Sequence, residues 1–283
     1  MSKYTSSLFE SIKEALNKNT PTESSFKDFL KTEVDKTYIV RLIPNVNNPE
    51  RTLFHYYNHT WKSNLSNNIT SVLCPNTYGE KCPIDEYRSK IYNSKDQNEI
   101  DKMQPIKRNE NWLVNVFVVK DPTNPENEGK VKILRYGRQL ARIIESAISG
   151  DDSNEFGPKI FDLSDKGCNL KIKVEKNEGG YPTYVYSKFM SPSTLEGVSD
   201  TDSLYNLVHE LDSIFEHKSY EDIKKLFNTH YLGQVEETES APIVEEVEDV
   251  DFLPSSKETV VDSSDSSEES DEDKKMKQIL QDL

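Results

Sequence analysis

The feature that most constrains this chain is the division of its charge. Residues 234–283 hold 17 acidic and 4 basic side chains, net −13, while the whole 283-residue chain carries a formal −15. The first 233 residues are therefore near neutral, at about −2. The terminal segment contains SSKETVVDSSDSSEESDEDKK, which repels itself and has no aromatic residue. Its small apolar surface cannot offset the ~1–2 kcal/mol of backbone entropy lost per ordered residue. Disorder is expected there, so the fold must be built from residues 1–233. Met276, Ile279, Leu280 and Leu283 close the chain at helical spacing, which suits a short docking element.

At roughly 150 residues per domain the length allows one or two domains. No apolar run approaches the ~18–20 residues that span a bilayer, and the N-terminus lacks the apolar stretch of a secretory signal. A membrane or secreted protein is not expected. Three cysteines, Cys74, Cys82 and Cys168, are an odd number and form no disulfide framework, which fits a reducing cytoplasm.

Residues 2–18 read as a helix, with a capping box at Ser7 and Glu10 and an apolar stripe through Leu8, Ile12 and Leu16. Strands are expected at 38–43, 53–57, 112–120 and 131–136. The third of these, WLVNVFVVK, is the strongest, being mostly β-branched and aromatic and stopped by Asp121-Pro122. Residues 58–83 read as loop-rich, and 85–92 as a short helix. A helix over 139–149 carries Leu140, Ile143, Ile144 and Ala147 on one face and ends at Gly150. Gly179-Gly180 signals a hairpin between strands at 170–174 and 184–189. Two further helices are expected, one through Leu204 to Phe215 and one starting at Ser219. Short strands, long loops and peripheral helices give an α+β class, with an OB-fold-like open β-barrel core as the leading architecture.

No phosphate-binding loop, nucleophile elbow, zinc-protease helix or dinucleotide fingerprint is present, so nothing argues for catalysis. Residues 102–142, by contrast, carry 9 basic and 4 acidic side chains. Cations there sit beside aromatic rings: Lys107 and Arg108 near Trp112, and Arg135 and Arg138 around Tyr136. Tyr78, Tyr92, Tyr181 and Tyr184 lie in polar, loop-like contexts. Single-stranded nucleic acid requires this mixture, because cations neutralise phosphates and rings stack unpaired bases at ~1–3 kcal/mol each. Each tyrosine alone also suits the rim of a core. His59, Cys74, Cys82 and Asp85 form a second constellation, since zinc accepts imidazole, thiolate and carboxylate; ordinary buried thiols are the alternative.

The sequence also resembles a known family. Residues 118–131 read V-V-K-D-P-T-N-P-E-N-E-G-K-V, 39–44 read I-V-R-L-I-P, and 180–189 read G-Y-P-T-Y-V-Y-S-K-F. With Asn58-His59, Lys107-Arg108 and the ending I-L-Q-D-L at 279–283, they resemble the gene-32-type single-stranded DNA-binding proteins of T-even-type bacteriophages, over nearly the whole chain. The resemblance implies a self-association arm in residues 1–20 that keeps Lys3 and Tyr4. It implies a DNA-binding core over 21–233, with a zinc-type subdomain at about 55–92, and an acidic partner-binding tail over 234–283. It places Arg41, Lys107, Arg108, Trp112, Arg135, Tyr181 and Tyr184 at the DNA, with Tyr78 and Tyr92 matching after small gaps. His59, Cys74 and Cys82 fall on zinc ligands, and Asp85 stands where the family has Cys. Leu134 stands where the family has Tyr, and Tyr136 is the neighbouring substitute.

The expected function is a non-enzymatic coat on single-stranded DNA in phage replication, recombination and repair. It would bind cooperatively, without sequence specificity, in the cytoplasm of an infected bacterial host. Its partners would be further copies along the strand and replication and recombination proteins recruited by the tail. The rival is a zinc-containing protein–protein adaptor with a nucleic-acid-mimicking tail, which leaves the basic segment 102–142 without a purpose. The leading reading requires Arg41, Arg108, Trp112, Arg135 and Tyr184 to meet in one cleft.

Overall fold

The computed structural model describes residues 27–198 and 200–233. The expected N-terminal helix, Lys3, Tyr4 and the acidic segment lie outside the described residues. Within them the protein is a mixed α/β structure organised by one long strand.

That strand, β4 (Asn109–Lys120), is the WLVNVFVVK run extended by three polar residues. Its first half pairs with β2 (Leu53–Lys62), from Asn109 opposite Asn58 to Val114 opposite Leu53. Its second half pairs with β1 (Lys36–Ile43), from Asn115 opposite Ile43 to Lys120 opposite Ile39. β1 and β2 therefore follow one another along the same edge of β4. Pro44 ends β1, and the Asn45 side chain holds the connecting turn by accepting from the Asn47 and Asn48 amides at 3.1 and 2.9 Å. β5 (Val131–Tyr136) takes the opposite edge of β4. β6 (Cys168–Lys176) pairs with β1 and carries β7 (Pro182–Thr183) and β8 (Lys188–Pro192). β3 (Ile69–Leu73) pairs with the far end of β2. The result is an antiparallel sheet of eight strands, in the order β3-β2-β4-β1-β6-β7, with β5 on β4 and β8 on β6. The pairing does not close on itself among the described strands.

Strand alternation sends successive side chains to opposite faces. Val114, Val116 and Val118 of β4 meet Tyr38, Val40 and Leu42 of β1 and Leu170, Ile172 and Val174 of β6 in the main core. The helix α3 (Arg138–Ser149) covers them with Leu140, Ala141, Ile144 and Ala147. Burial of each such Val, Leu or Ile is worth ~1.5–3 kcal/mol, so this layer supplies most of the stability. The other face carries two smaller clusters, around Phe54, Tyr56 and Leu113 and around Ile43 and Phe117. A separate lobe is built by β3, α1 (Pro83–Ser94) and α2 (Gln97–Lys102) at the end of β2. Its core joins Trp61, Val72, Ile84, Met103 and Ile106 to Ile223 and Phe227 of α4 (Tyr220–Phe227). Ser219 caps α4 by accepting from the Asp222 amide. No helix among the described residues is long and apolar enough to cross a membrane.

Three expectations change, the first being the strand at 184–189, which is replaced by β7 and β8 with residues 184–187 between them in no strand. Residues 58–83 are not mainly loop, because β2 continues to Lys62 and β3 follows. The Asn, Thr and Ser of these edge strands dilute the apolar alternation that marks a strand. Residues 204–215 are not one α-helix but two short 3-10 turns, Asp202–Leu207 and Leu211–Ser213. The buried Asn115 amide holds the backbone between them: it accepts from His209 N and donates to His209 O, both at 2.9 Å. Leu204 and Leu211 consequently enter different cores.

Candidate nucleic-acid interface and metal group

The lobe gathers four metal-ligating side chains. His59 lies on β2, fully buried, and its Nδ1 faces the Ile106 carbonyl at 2.9 Å. A ring nitrogen facing a carbonyl carries the proton, so the Nε2 lone pair points the other way. There it meets Cys82 Sγ at 3.5 Å and Asp85 Oδ1 at 3.7 Å. Cys74 follows β3 and is pinned by its amide donating to Tyr57 O at 2.8 Å. Cys82 and Asp85 flank the Pro83 start of α1. One ligand atom from each of the four lies within 4.8 Å of the others. One imidazole, two thiols and one carboxylate in a buried pocket suit four-coordinate Zn²⁺. The Cys82 thiol is pulled down to about 5, chiefly by a hydrogen bond from Cys74. Cys74 is pushed up by the same hydrogen bond and by burial.

Beside this group runs a groove of about 550 Å³. Tyr57 of β2, Glu110 of β4, Arg88 and Tyr92 of α1, Lys107, Arg108 and Arg138 at the start of α3 line it, with Asn76 and Asp85. Strand register explains the grouping, since Tyr57 lies opposite Glu110 and His55 opposite Trp112. The Arg108 guanidinium sits over the Tyr57 ring, 4.3 Å from its centroid. Arg88 lies over Tyr92 at 5.7 Å. His55 stacks on Trp112 at 4.7 Å and meets Tyr57 edge-on at 4.7 Å. Glu110 accepts from Arg138 Nε at 2.5 Å and bonds His55 Nε2 at 2.9 Å. Burial tends to raise the Glu110 pKa, but the bonds to Arg138 and His55 outweigh it and hold the carboxyl below its ordinary value. Four cations and two tyrosine rings therefore share one wall.

Of the sequence-derived residues, Lys107, Arg108, Tyr92, Arg138 and Asp85 meet here. Trp112 is half-buried next to the groove, between His55 and Tyr136. The required convergence of five residues does not occur. Arg41 is a correction: it is fully buried, far from solvent. Its Nε donates to Asn169 Oδ1 at 2.7 Å, Nη1 to Asp162 O at 2.7 Å and Ser164 O at 3.2 Å, and Nη2 to Ser193 O at 2.7 Å. Gly167 leaves room for it, since a Cβ there would lie 2.1 Å from Nη1. Arg41 ties β1 to two loops. Arg135 pairs across from Leu113, on the sheet face opposite Trp112, and donates to Asn111 Oδ1 at 3.3 Å. Tyr136 is buried under Trp112, and burial pushes its phenol pKa up. Tyr184 packs on the main core with its hydroxyl 3.1 Å from Thr32. Tyr181 is exposed on the hairpin after β6, and Tyr78 is exposed against His217, so neither lines the groove.

Sequence reasoning missed Tyr57, His55, Arg88 and Glu110. The signal for the first two was present, because in a strand over 53–57 Phe54 and Tyr56 face one side and His55 and Tyr57 the other. Arg88 and Glu110 carry no local signature.

Comparison with known proteins adds an independent line. A family profile described as "gp32 DNA binding protein like" matches residues 35–235. A relative from Enterobacteria phage T4, called a single-stranded DNA-binding protein, is 29% identical over 230 residues, covering 78% of this chain and 74% of its own. One of the same description from Enterobacteria phage T2 is 28% identical over 265 residues, covering 87% and 85%.

Proposed function

Because this chain belongs to the gp32-like DNA-binding protein family, we propose that it coats single-stranded DNA without reading its sequence. The observation that carries this is the Arg108–Tyr57 stack in a wall shared with Lys107, Arg88, Arg138 and Tyr92. Cations along one wall neutralise phosphates and release their counterions. The rings of Tyr57 and Tyr92 offer stacking surfaces that any base can use once it displaces the guanidinium above them. Glu110 holds Arg138 and His55 in place until a phosphate competes for Arg138. The proposed role is binding alone.

An OB-like topology is part of this reading. It is supported by β4 joining β1, β2 and β5, and by α3 over the inner face. His59, Cys74, Cys82 and Asp85 are the proposed Zn²⁺ ligands, and a bound ion would crosslink β2, β3 and α1. Residues 1–20, with Lys3 and Tyr4, are the proposed self-association arm. Residues 234–283 are the proposed acidic tail, competing for groove cations and recruiting replication and recombination proteins. Action in the cytoplasm of an infected bacterium is part of the same proposal, supported by the phage origin of the relatives.

The test is binding of labelled oligo-dT, oligo-dC, a mixed sequence and a duplex to the whole protein. The single strands should agree within about fivefold, and the duplex should bind more weakly. Preference for one sequence, or for duplex, contradicts the reading.

A further inference from the structure

The four donors of the metal group are not equally enclosed. His59 and both cysteines are buried, whereas the Asp85 side chain keeps 21% of its surface exposed. Asp85 stands in the partition between metal group and groove and serves both. Its Oδ1 lies 3.7 Å from His59 Nε2 and 3.8 Å from Arg88 Nη1. Its Oδ2 accepts from Asn76 Nδ2 at 3.0 Å and from the Cys74 thiol at 3.5 Å, and lies 3.4 Å from Arg108 Nη1. One carboxylate is thus divided between two metal donors, His59 and Cys74, and two groove cations. A cysteine at this position has a single sulfur and no second acceptor to spare for an arginine. Arg88 is not saturated by the arrangement, since its buried Nε–H has no acceptor among the described residues.

We propose that Asp85 couples metal binding to DNA binding by releasing Arg108 and Arg88 when it turns to a cation held by His59, Cys74 and Cys82. A carboxylate committed to a divalent ion has less charge to offer a guanidinium at 3.4 Å, so the arginines become available to phosphates. Such coupling is reciprocal by thermodynamic necessity, so a bound strand must tighten metal binding by the same factor. The inference rests on the groove being the strand's interface.

The experiment uses the full chain and Zn²⁺. Zinc affinity is measured by competition with a chromophoric chelator, with and without saturating oligo-dT. Oligo-dT affinity is measured on zinc-loaded and chelator-stripped protein. Both should change together by about five- to tenfold, within the usual range for coupled sites. Asp85→Cys keeps a fourth ligand but removes the shared carboxylate, and Arg108→Ala removes the other end of the link. Each should take the coupling factor towards one. Wild-type coupling of one overturns the proposal, as does failure to bind zinc. Full coupling retained in both variants also overturns it, by assigning the effect to folding of the lobe. Oligo-dT that binds equally well in both zinc states removes the coupling and leaves the interface reading intact. Absence of oligo-dT binding in either state defeats the interface reading itself.

Discussion

The sheet core and the lobe at the end of β2 solve the same problem with different chemistry. The sheet buries a continuous layer of Val, Leu and Ile from β1, β4 and β6 under α3. The lobe has a smaller apolar cluster and places a histidine, two thiols and a carboxylate where more hydrocarbon would otherwise go. Buried polar groups cost free energy unless they are paired, so the sheet stands on its own while the lobe gains from an ion. The groove runs along the join. Its floor comes from strands that the sheet holds rigid, and part of its wall comes from α1 of the lobe. A binding surface assembled this way has a fixed half and a conditional half.

The comparison breaks most visibly if the metal donors are removed. Cys82→Ser should abolish zinc uptake, and chelation should lower amide-exchange protection in β3 and α1 by at least about tenfold while β1, β4 and β6 keep theirs. Equal loss across both regions would show that they form one cooperative unit. Next comes the sheet's own polar tie. Arg41→Met leaves three main-chain carbonyls and Asn169 without their donor. Urea denaturation should show a loss of about 3–4 kcal/mol, with oligo-dT affinity within about twofold of the parent wherever the variant is folded.

Arg108→Ala inverts that pattern. Its side chain is 38% exposed, so stability should move by no more than ~0.5 kcal/mol. Affinity for every single strand should fall about five- to tenfold, and the salt slope should shallow by about one. The smallest effect concerns Glu110, whose carboxyl is held below its ordinary value of 4.5 in the folded protein. A depressed folded pKa contributes stability that is fully present above 4.5 and is lost as pH falls through the folded value. The cost of Glu110→Gln should therefore be measurable at pH 7 and shrink as pH falls below 4.5; a cost unchanged by acid assigns it to packing.

Much of the scaffold was legible in the sequence, because it rests on local signals. β5, α3 and α4 follow from apolar periodicity, a terminal glycine and the Ser219 cap. The 118–131 string, which carries the family resemblance most densely, proves to be turn architecture. The buried Asp121 carboxylate accepts from the Thr123 and Asn124 amides at 2.9 Å and from Asn127 Nδ2 at 2.8 Å, Glu128 accepts from Asp121 N, and Gly129 takes φ +79°. The metal group was legible because four residues of metal-ligating type fall within one short stretch.

The groove was only partly legible. Charge beside aromatic residues found Lys107, Arg108 and Tyr92, but the pattern does not say which way a side chain faces. Arg41 and Arg135 look alike in sequence as strand arginines among apolar neighbours. Register sends one into a fully satisfied interior and the other to the face away from Trp112. Asp85 was recognised as a ligand, yet its contact with Arg108 depends on how β4 approaches α1, a tertiary fact with no local trace.

The central claim is that Arg108 and its neighbouring rings hold an unpaired strand chiefly through phosphate neutralisation and stacking. Trp61 is buried in the lobe, whereas Trp112 is half-exposed beside the groove, so intrinsic fluorescence reports on the interface. Poly-dT should quench it, with log K falling linearly as log salt rises, and Arg108→Ala should lower that slope by about one. Quenching that is absent, or a binding constant indifferent to salt, would contradict the claim.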